Sequence, residues 1–332
     1  MRLGSLCSGY GGLEAGIGQV LDIEPVWCSE IDKDASKVLA THHPNVPNLG
    51  DLTVLDWHQV EPVDIICAGF PCQPFSHAGK RQGEDDDRAI FSYIAEAISV
   101  LRPRLVVLEN VAAITTLGGP GVIAALARVG YDCRWGIVRA SDTGAPHRRA
   151  RWFCIAEPAD ADSKQREGIR DTTRLGRRPD GCAAADAGGE RHGPRQNHLL
   201  VGRLDGQDRR AWGQSRHRDE TPAADADEPG GEAWADTGPE RERIRQQPVG
   251  SAAPAADFGP YDEAVRRWEY IIGRPAPDPT DDRGLRPEFV EWMMGLPEGW
   301  VCNVGLSRTA ALKMLGNGVV PQQAALAVDL LL

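Results

Sequence analysis

From residue 1 to about 156 the chain alternates short apolar runs with amphipathic stretches. Arg2 to Cys7, Pro25 to Ser29, Val63 to Ala68, Arg104 to Leu108, Cys133 to Val138 and Trp152 to Ala156 have the length and apolar content of strands. Between them, Gly12 to Leu21, Asp32 to Thr41, Arg88 to Leu101 and Gly121 to Val129 carry apolar residues at helical spacing. A further short strand is expected before Asp51, which makes the run ending near Ala68 the fourth strand and the run ending near Leu108 the fifth. Alternating strands and helices imply an α/β fold with a doubly wound, mostly parallel sheet. Such sheets bind ligands in the crevice beyond the carboxyl ends of their strands, so the loops that follow the strands are where chemistry is sought.

The pattern changes beyond residue 156. Residues 157 to about 258 are rich in Ala, Asp, Gly, Arg and Glu and poor in large apolar side chains, a composition expected of a partly disordered insertion or a variable recognition segment. An irregular echo runs through it: ADADSKQREGIRD from Ala159, ADAGGERHGPRQ from Ala185 and ADTGPERERIRQ from Ala235 share an Ala-Asp start and a charged, arginine-bearing tail. From Tyr261 aromatic residues return, and the chain closes on an apolar, helix-like run from Gln323 to Leu332.

A chain of 332 residues with 41% hydrophobic content can bury one sizeable core and a smaller second lobe. No apolar run approaches the roughly 18 residues of a membrane helix, and MRLGSLCSGYGG lacks a signal-peptide pattern, so the expectation is a cytoplasmic protein with no membrane partner. The eight cysteines form no CxxC pair, which suggests reduced core thiols rather than a metal site or a disulfide framework. A net charge of −11 argues against a nucleic-acid partner if only the sum is counted. Distribution changes the picture: of 37 basic residues only five are lysine, and arginines cluster at His147 to Arg151, Arg174 to Arg178 and Arg241 to Arg245. Arginine suits bidentate contacts to phosphate and guanine, although a genomic composition bias would give the same enrichment.

Candidate chemistry sits in the loops of the first part. Ser8-Gly9-Tyr10-Gly11-Gly12 is a glycine-rich turn between a strand and a helix N-terminus. Glu30 and Asp32 end the second strand, where a carboxylate can accept from ribose hydroxyls, and Asp51 could accept from an adenine amino group. Taken singly, each acid is more often a helix cap; their order after successive strands favours an adenosyl ligand. The next strand leads into Gly69-Phe70-Pro71-Cys72-Gln73-Pro74, where two prolines stiffen the loop that carries Cys72 and suit a nucleophile whose thiol must be aimed. Leu108-Glu109-Asn110-Val111 places a carboxyl group beside that loop, able to act as an acid toward a ring nitrogen if burial raises its pKa.

Together these motifs resemble the bacterial and phage cytosine-5 DNA methyltransferases. GFPCQPFS from Gly69, the ENV at Glu109, PHRRAR from Pro146 and GNGVVP from Gly316 occur in that family's order. The resemblance covers residues 1 to about 156 and about 285 to 332, and it implies a class I S-adenosylmethionine-dependent methyltransferase fold with a smaller target-recognition domain. It divides the chain into a catalytic and cofactor-binding part at 1–156, a recognition part at 157–302, and a segment at 303–332 that returns to the catalytic domain. It implies that Cys72 adds to cytosine C6, that Glu109 holds N3 and the exocyclic amine, and that Arg149 and Arg151 stand near a flipped base, with Arg151 at the cytosine carbonyl. S-adenosyl-L-methionine is the implied cofactor. Its implied site comprises Leu6, Cys7, Gly9, Gly11, Gly12, Glu30, Ile31, Asp51, Leu52, Gly69, Pro71, Asn317 and Val319, with Glu30 on the ribose, Asp51 on the adenine and Asn317 shaping backbone. Implied partners are double-stranded DNA and a restriction endonuclease of the same specificity that forms no stable complex with a monomeric enzyme.

Four positions depart from the family pattern. Ser5 and Cys7 stand where an aspartate and an aromatic are usual, which loosens the expected stacking on adenine; His147 replaces a glutamine and Ile31 an aromatic. Two other readings compete with this one. An enzyme acting on RNA cytosine would share the fold and nucleophile, whereas a silent DNA-binding homologue should have lost Cys72 or Glu109, and both are present.

Overall fold

The computed structural model describes residues 1–71, 88–160, 202–204 and 258–332. Cys72 and nearly all of the compositionally distinct middle, with its echoing segments, lie outside the described residues. Strands β1 (Arg2–Leu6), β2 (Glu24–Ser29), β3 (Ile65–Gly69), β4 (Leu105–Val111), β5 (Tyr131–Arg139), β6 (Ala150–Pro158) and β7 (Gly202–Leu204) form one sheet in the order β2-β1-β3-β4-β6-β5-β7. The first four are mutually parallel. β6 lies antiparallel to both β4 and β5, and β7 antiparallel to β5. The antiparallel half follows from chain length. A parallel return needs a crossover of about a dozen residues or more, usually a helix, and residues 140–149 supply only a 3-10 turn and irregular backbone. β6 therefore folds straight back along β5.

Neighbouring residues on the central strands feed opposite faces, as a side-chain period of two requires. Ile65, Val107 and Phe153 pack with Leu3 against α1 (Gly12–Val20) and the C-terminal helix α9 (Pro321–Leu331). Ile66, Val106 and Trp152 pack on the other face with α3 (Arg88–Leu101) and α5 (Gly119–Arg128). Helix α2 (Lys33–His42) follows β2, and the short α4 (Ile114–Leu117) follows β4. α9 can lie close on α1 because Gly16 has no side chain: a Cβ there would collide with the Ala324 Cβ and the Pro321 carbonyl. No helix among the described residues is long and apolar enough to cross a membrane, and the six described cysteines are free thiols.

The strand expected before Asp51 is reduced to one isolated bridge between Cys28 and Asn48. Pro44 and Pro47 flank that stretch, and proline cannot donate to a ladder. The glycine–proline loop therefore follows the third strand and Glu109 lies on the fourth.

A third apolar cluster joins the end of the chain to the sheet's loops. It brings α6 (Asp262–Ile272), α7 (Pro287–Met293) and α8 (Arg308–Asn317) together through Trp268, Trp292, Val301 and Leu315, with Tyr10 and Ala140 from the first part. At its centre Glu291 is 1% exposed, and its carboxylate accepts from the backbone N–H groups of Gly299, Val301 and Cys302 at 2.7, 2.6 and 3.0 Å. Glu291→Gln would turn an amide N–H₂ toward one of these donors and leave it unpaired. A loss of about 1–3 kcal/mol is expected from the shift of the urea unfolding midpoint at constant m-value.

Candidate active site

The carboxyl ends of β1, β2, β3 and β4, together with the turn between α8 and α9, surround a cavity of about 460 Å³. Its floor is the glycine turn after β1. Gly9 and Gly11 adopt φ of 57° and 84°, and Cys7 is left-handed as well at 52°, so the backbone curls round under the N-terminus of α1. Opposite, Glu30 accepts from the Gly9 N–H and the Asp32 N–H, both at 2.8 Å, which fixes its carboxylate at the cavity edge. A Cβ on Gly9 would meet nothing within 4 Å, so the turn faces open space that a ligand can fill.

Glu109 sits deeper, 6% exposed, beside Gly69 in the β3–β4 register. Its Oε1 lies 3.0 Å from Arg151 Nε on the adjacent β6. Burial dominates its ionisation: loss of hydration raises the carboxyl from 4.5 to about 7, although Arg151 and Arg149 pull the other way. Next along β4, Asn110 is 2% exposed and donates from Nδ2 to the Phe70 carbonyl at 2.9 Å. That bond, with the Phe70 ring 5.1 Å from the Phe91 ring, anchors the chain two residues before Cys72.

Of the residues expected at the cofactor, Cys7, Gly9, Gly12, Glu30, Gly69, Pro71, Asn317 and Val319 border the cavity, as do Glu109 and Arg151. Others stand elsewhere. Leu6 is fully buried in the core and Leu52 nearly so. Gly11 caps α1, and Ile31 is 71% exposed. Asp51 caps the 3-10 turn Leu52–Val54, where the Thr53 N–H and hydroxyl hold its carboxyl below the usual range. Asp32 likewise caps α2, accepting from Asp34 and Ala35 at 2.9 and 3.0 Å, although it also touches the cavity. Arg149 donates from Nη2 to the Gly316 and Gly318 carbonyls. His147 bonds the Met293 carbonyl at 3.0 Å.

Several residues with clear roles carried no assigned task in the sequence. Tyr10, 1% exposed, donates its hydroxyl to the Val319 carbonyl at 2.7 Å, and its ring occupies the space a Cβ on Gly318 would need. Ser5 donates to Glu14, a buried acid on the cavity wall, and pairs with Ser8 at 2.7 Å. Asn110 was legible as part of ENV, but its grip on Phe70 joins residues 40 positions apart in the chain. Cys7, which borders the cavity, is poorly suited to act as a nucleophile, since burial and then Glu30 push its thiol up to about 12.

A doubly wound sheet with a glycine turn, an acid at the end of the next strand and a ligand-sized cavity between them defines a class I S-adenosylmethionine-dependent methyltransferase fold. Within that class the family profile for C-5 cytosine-specific DNA methylase matches residues 1–328, and the chain belongs to that family. It is 34% identical over 163 residues to the type II methyltransferase M.CviJI of Paramecium bursaria Chlorella virus IL3A, covering 48% of this chain and 44% of that protein. It is 35% identical over 155 residues to M1.ScrFI of Lactococcus lactis subsp. cremoris, covering 45% and 40%. The chain thus spans less than half the length of these curated relatives. The crystal structure of S. pombe Dnmt2 methyltransferase superposes over 99% of this chain and 98% of its own with a TM-score of 0.57 at 13% identity, a likeness of fold.

Proposed function

We propose that the chain is a DNA (cytosine-5-)-methyltransferase that flips a target cytosine, adds Cys72 to C6 and methylates C5. The observation that carries this reading is the buried Glu109–Arg151 pair opening onto a glycine-lined cavity at the end of the loop that leads to Cys72. The cavity suits S-adenosylmethionine: Gly9 opens onto free space, Glu30 offers a fixed carboxylate to ribose hydroxyls, and Asn317 and Val319 border the opposite wall. When bound, the cofactor supplies a sulfonium methyl group as the electrophile for C5. The protein's part is to make C5 nucleophilic. Bond formation between Cys72 Sγ and C6 breaks the ring double bond and moves its electron pair toward C5, while Glu109 in its acid form donates to N3 and accepts from the exocyclic amine. Arg151 is held beside Glu109 to meet the cytosine carbonyl. Loss of the C5 proton and then of Cys72 restores the ring. Because C5 and C6 are inaccessible within a stacked duplex, the base must leave the helix.

On this reading 1–156 and 303–332 form the catalytic domain of a cytoplasmic monomer and 157–302 the recognition domain. The curated relatives are named type II methyltransferases, which supports double-stranded DNA as substrate and a restriction endonuclease of the same specificity acting separately. Bisulfite sequencing of DNA from cells expressing the chain is expected to show methylated cytosines in one fixed sequence context; uniformly unmethylated cytosine would refute the proposal. Deletion of Arg166 to Gln247 should preserve S-adenosylmethionine binding and remove sequence-specific methylation, because base readout needs arginine or amide side chains presented to groove edges. Unchanged context and rate in the deletion would move recognition to Tyr261 through Trp300.

A further inference from the structure

Arg149 and Arg151 are two residues apart, yet their side chains have different partners. Arg151 Nε meets Glu109 at 3.0 Å. Arg149 Nη2 donates to the Gly316 carbonyl at 2.9 Å and to the Gly318 carbonyl at 2.5 Å. Those carbonyls belong to the turn that closes α8, and Asn317 and Val319 of the same turn border the cavity. A guanidinium is suited to the place, since its Nη2 carries two N–H donors that reach both acceptors and its charge complements the carbonyl end of a helix.

The surroundings hold Arg149 to this task. Its backbone is left-handed at φ 34°, a conformation that persists in a non-glycine residue only where the structure enforces it. The fully buried Gln323 of α9 enforces it, donating from Nε2 to the Arg149 carbonyl and to the Val138 carbonyl at 2.8 Å each. The far side of the turn is fastened by Tyr10, whose hydroxyl bonds Val319 and whose carbonyl accepts from Trp300 Nε1 at 2.9 Å. Arg149 Nε is buried with no hydrogen-bond partner, and the two carbonyl bonds of Nη2 offset part of the burial of this half-buried cation.

Building on the methyltransferase reading, we infer that Arg149 is a positioning residue for the cofactor site: its guanidinium holds the Gly316–Val319 turn against the cavity. A phosphate or base contact through Arg149 Nη2 would require release of both carbonyls. Its loss therefore acts on cofactor affinity before DNA is present.

The test is calorimetric titration of the full chain with S-adenosylmethionine without DNA, alongside fluorescence anisotropy with a duplex carrying the sequence methylated in cells. Arg149→Ala is expected to weaken cofactor binding roughly tenfold or more and to shift duplex affinity by less than about threefold. Arg149→Lys, which keeps the charge but has a shorter side chain without the rigid guanidinium plane, should fall between wild type and alanine, and it carries the test if the alanine variant does not fold. Unchanged cofactor affinity, or reduced duplex affinity at unchanged cofactor affinity, would overturn the inference. So would a parallel loss of both affinities that tracks a lowered thermal transition, which marks a purely structural residue. A wild-type chain that takes up no cofactor would overturn the underlying reading as well, and differs visibly from a wild type and variants that all bind equally.

Discussion

Cys72→Ser is expected to lower methylation by on the order of a thousandfold or more while leaving cofactor binding near wild type. A serine hydroxyl is far less ionised than a thiol and a poorer nucleophile toward C6, and nothing else in the proposed chemistry activates C5. Among the described residues Cys7 is the cysteine that borders the cavity, and burial, then Glu30, push its thiol up to about 12, which disfavours its thiolate. A filter-binding assay of tritiated methyl transfer gives the rate, and calorimetry the cofactor affinity. A duplex with 5-fluorocytosine at the target supplies the complementary trap: fluorine cannot leave C5 as a proton does, so the Cys72–C6 bond persists. Wild type should then form a denaturation-resistant protein–DNA adduct and Cys72→Ser should not. Turnover close to wild type in the serine variant would end the proposed mechanism.

Glu109→Gln should reduce the methyl-transfer rate by about two or more powers of ten with a smaller effect on DNA binding, because it removes the acid that serves N3. The pH dependence sharpens the test. Glu109 titrates near 7 in the folded protein against 4.5 ordinarily, so its acid form is present at neutral pH and disappears above it. The wild-type rate should lose this group's contribution as pH rises through about 7, and the glutamine variant should lack that limb. Stability follows the same proton. Below 4.5 the group is protonated whether folded or unfolded; between 4.5 and about 7 only the folded state keeps the proton, so stability falls as pH rises and then levels off. The interval corresponds to about 3 kcal/mol, read as the difference in pH slope between wild type and Glu109→Gln in urea melts. Equal slopes, or a variant that loses cofactor affinity while methyl transfer proceeds unchanged, would remove Glu109 from the assigned role.

The chain's alternating apolar runs by themselves determined the α/β class and most element positions, because burial patterns with periods of two and 3.6 are local properties of strands and helices. Helix α3 begins and ends where its spacing predicts, at Arg88 and Leu101. Glu109 and the glycine turn were legible for a related reason: tight turns and buried acids demand particular residue types wherever they occur. Direction and partnership were decided only in three dimensions. The apolar run Trp152 to Ala156 does not state whether it runs parallel or antiparallel to β4; the short connector after β5 fixes that. Asp51 and Glu30 look alike in sequence, and only the folded chain sends one to a 3-10 turn and the other to the cavity edge. Arg149 and Arg151 likewise read as a pair, but with a left-handed backbone at Arg149, whose carbonyl is held by a glutamine 174 residues away, its side chain bonds the Gly316 and Gly318 carbonyls while Arg151 meets Glu109. Local sequence sets what each segment can form, whereas the partner of a polar side chain depends on which distant carbonyls and carboxylates the packed sheet and helices bring within about 3 Å of it.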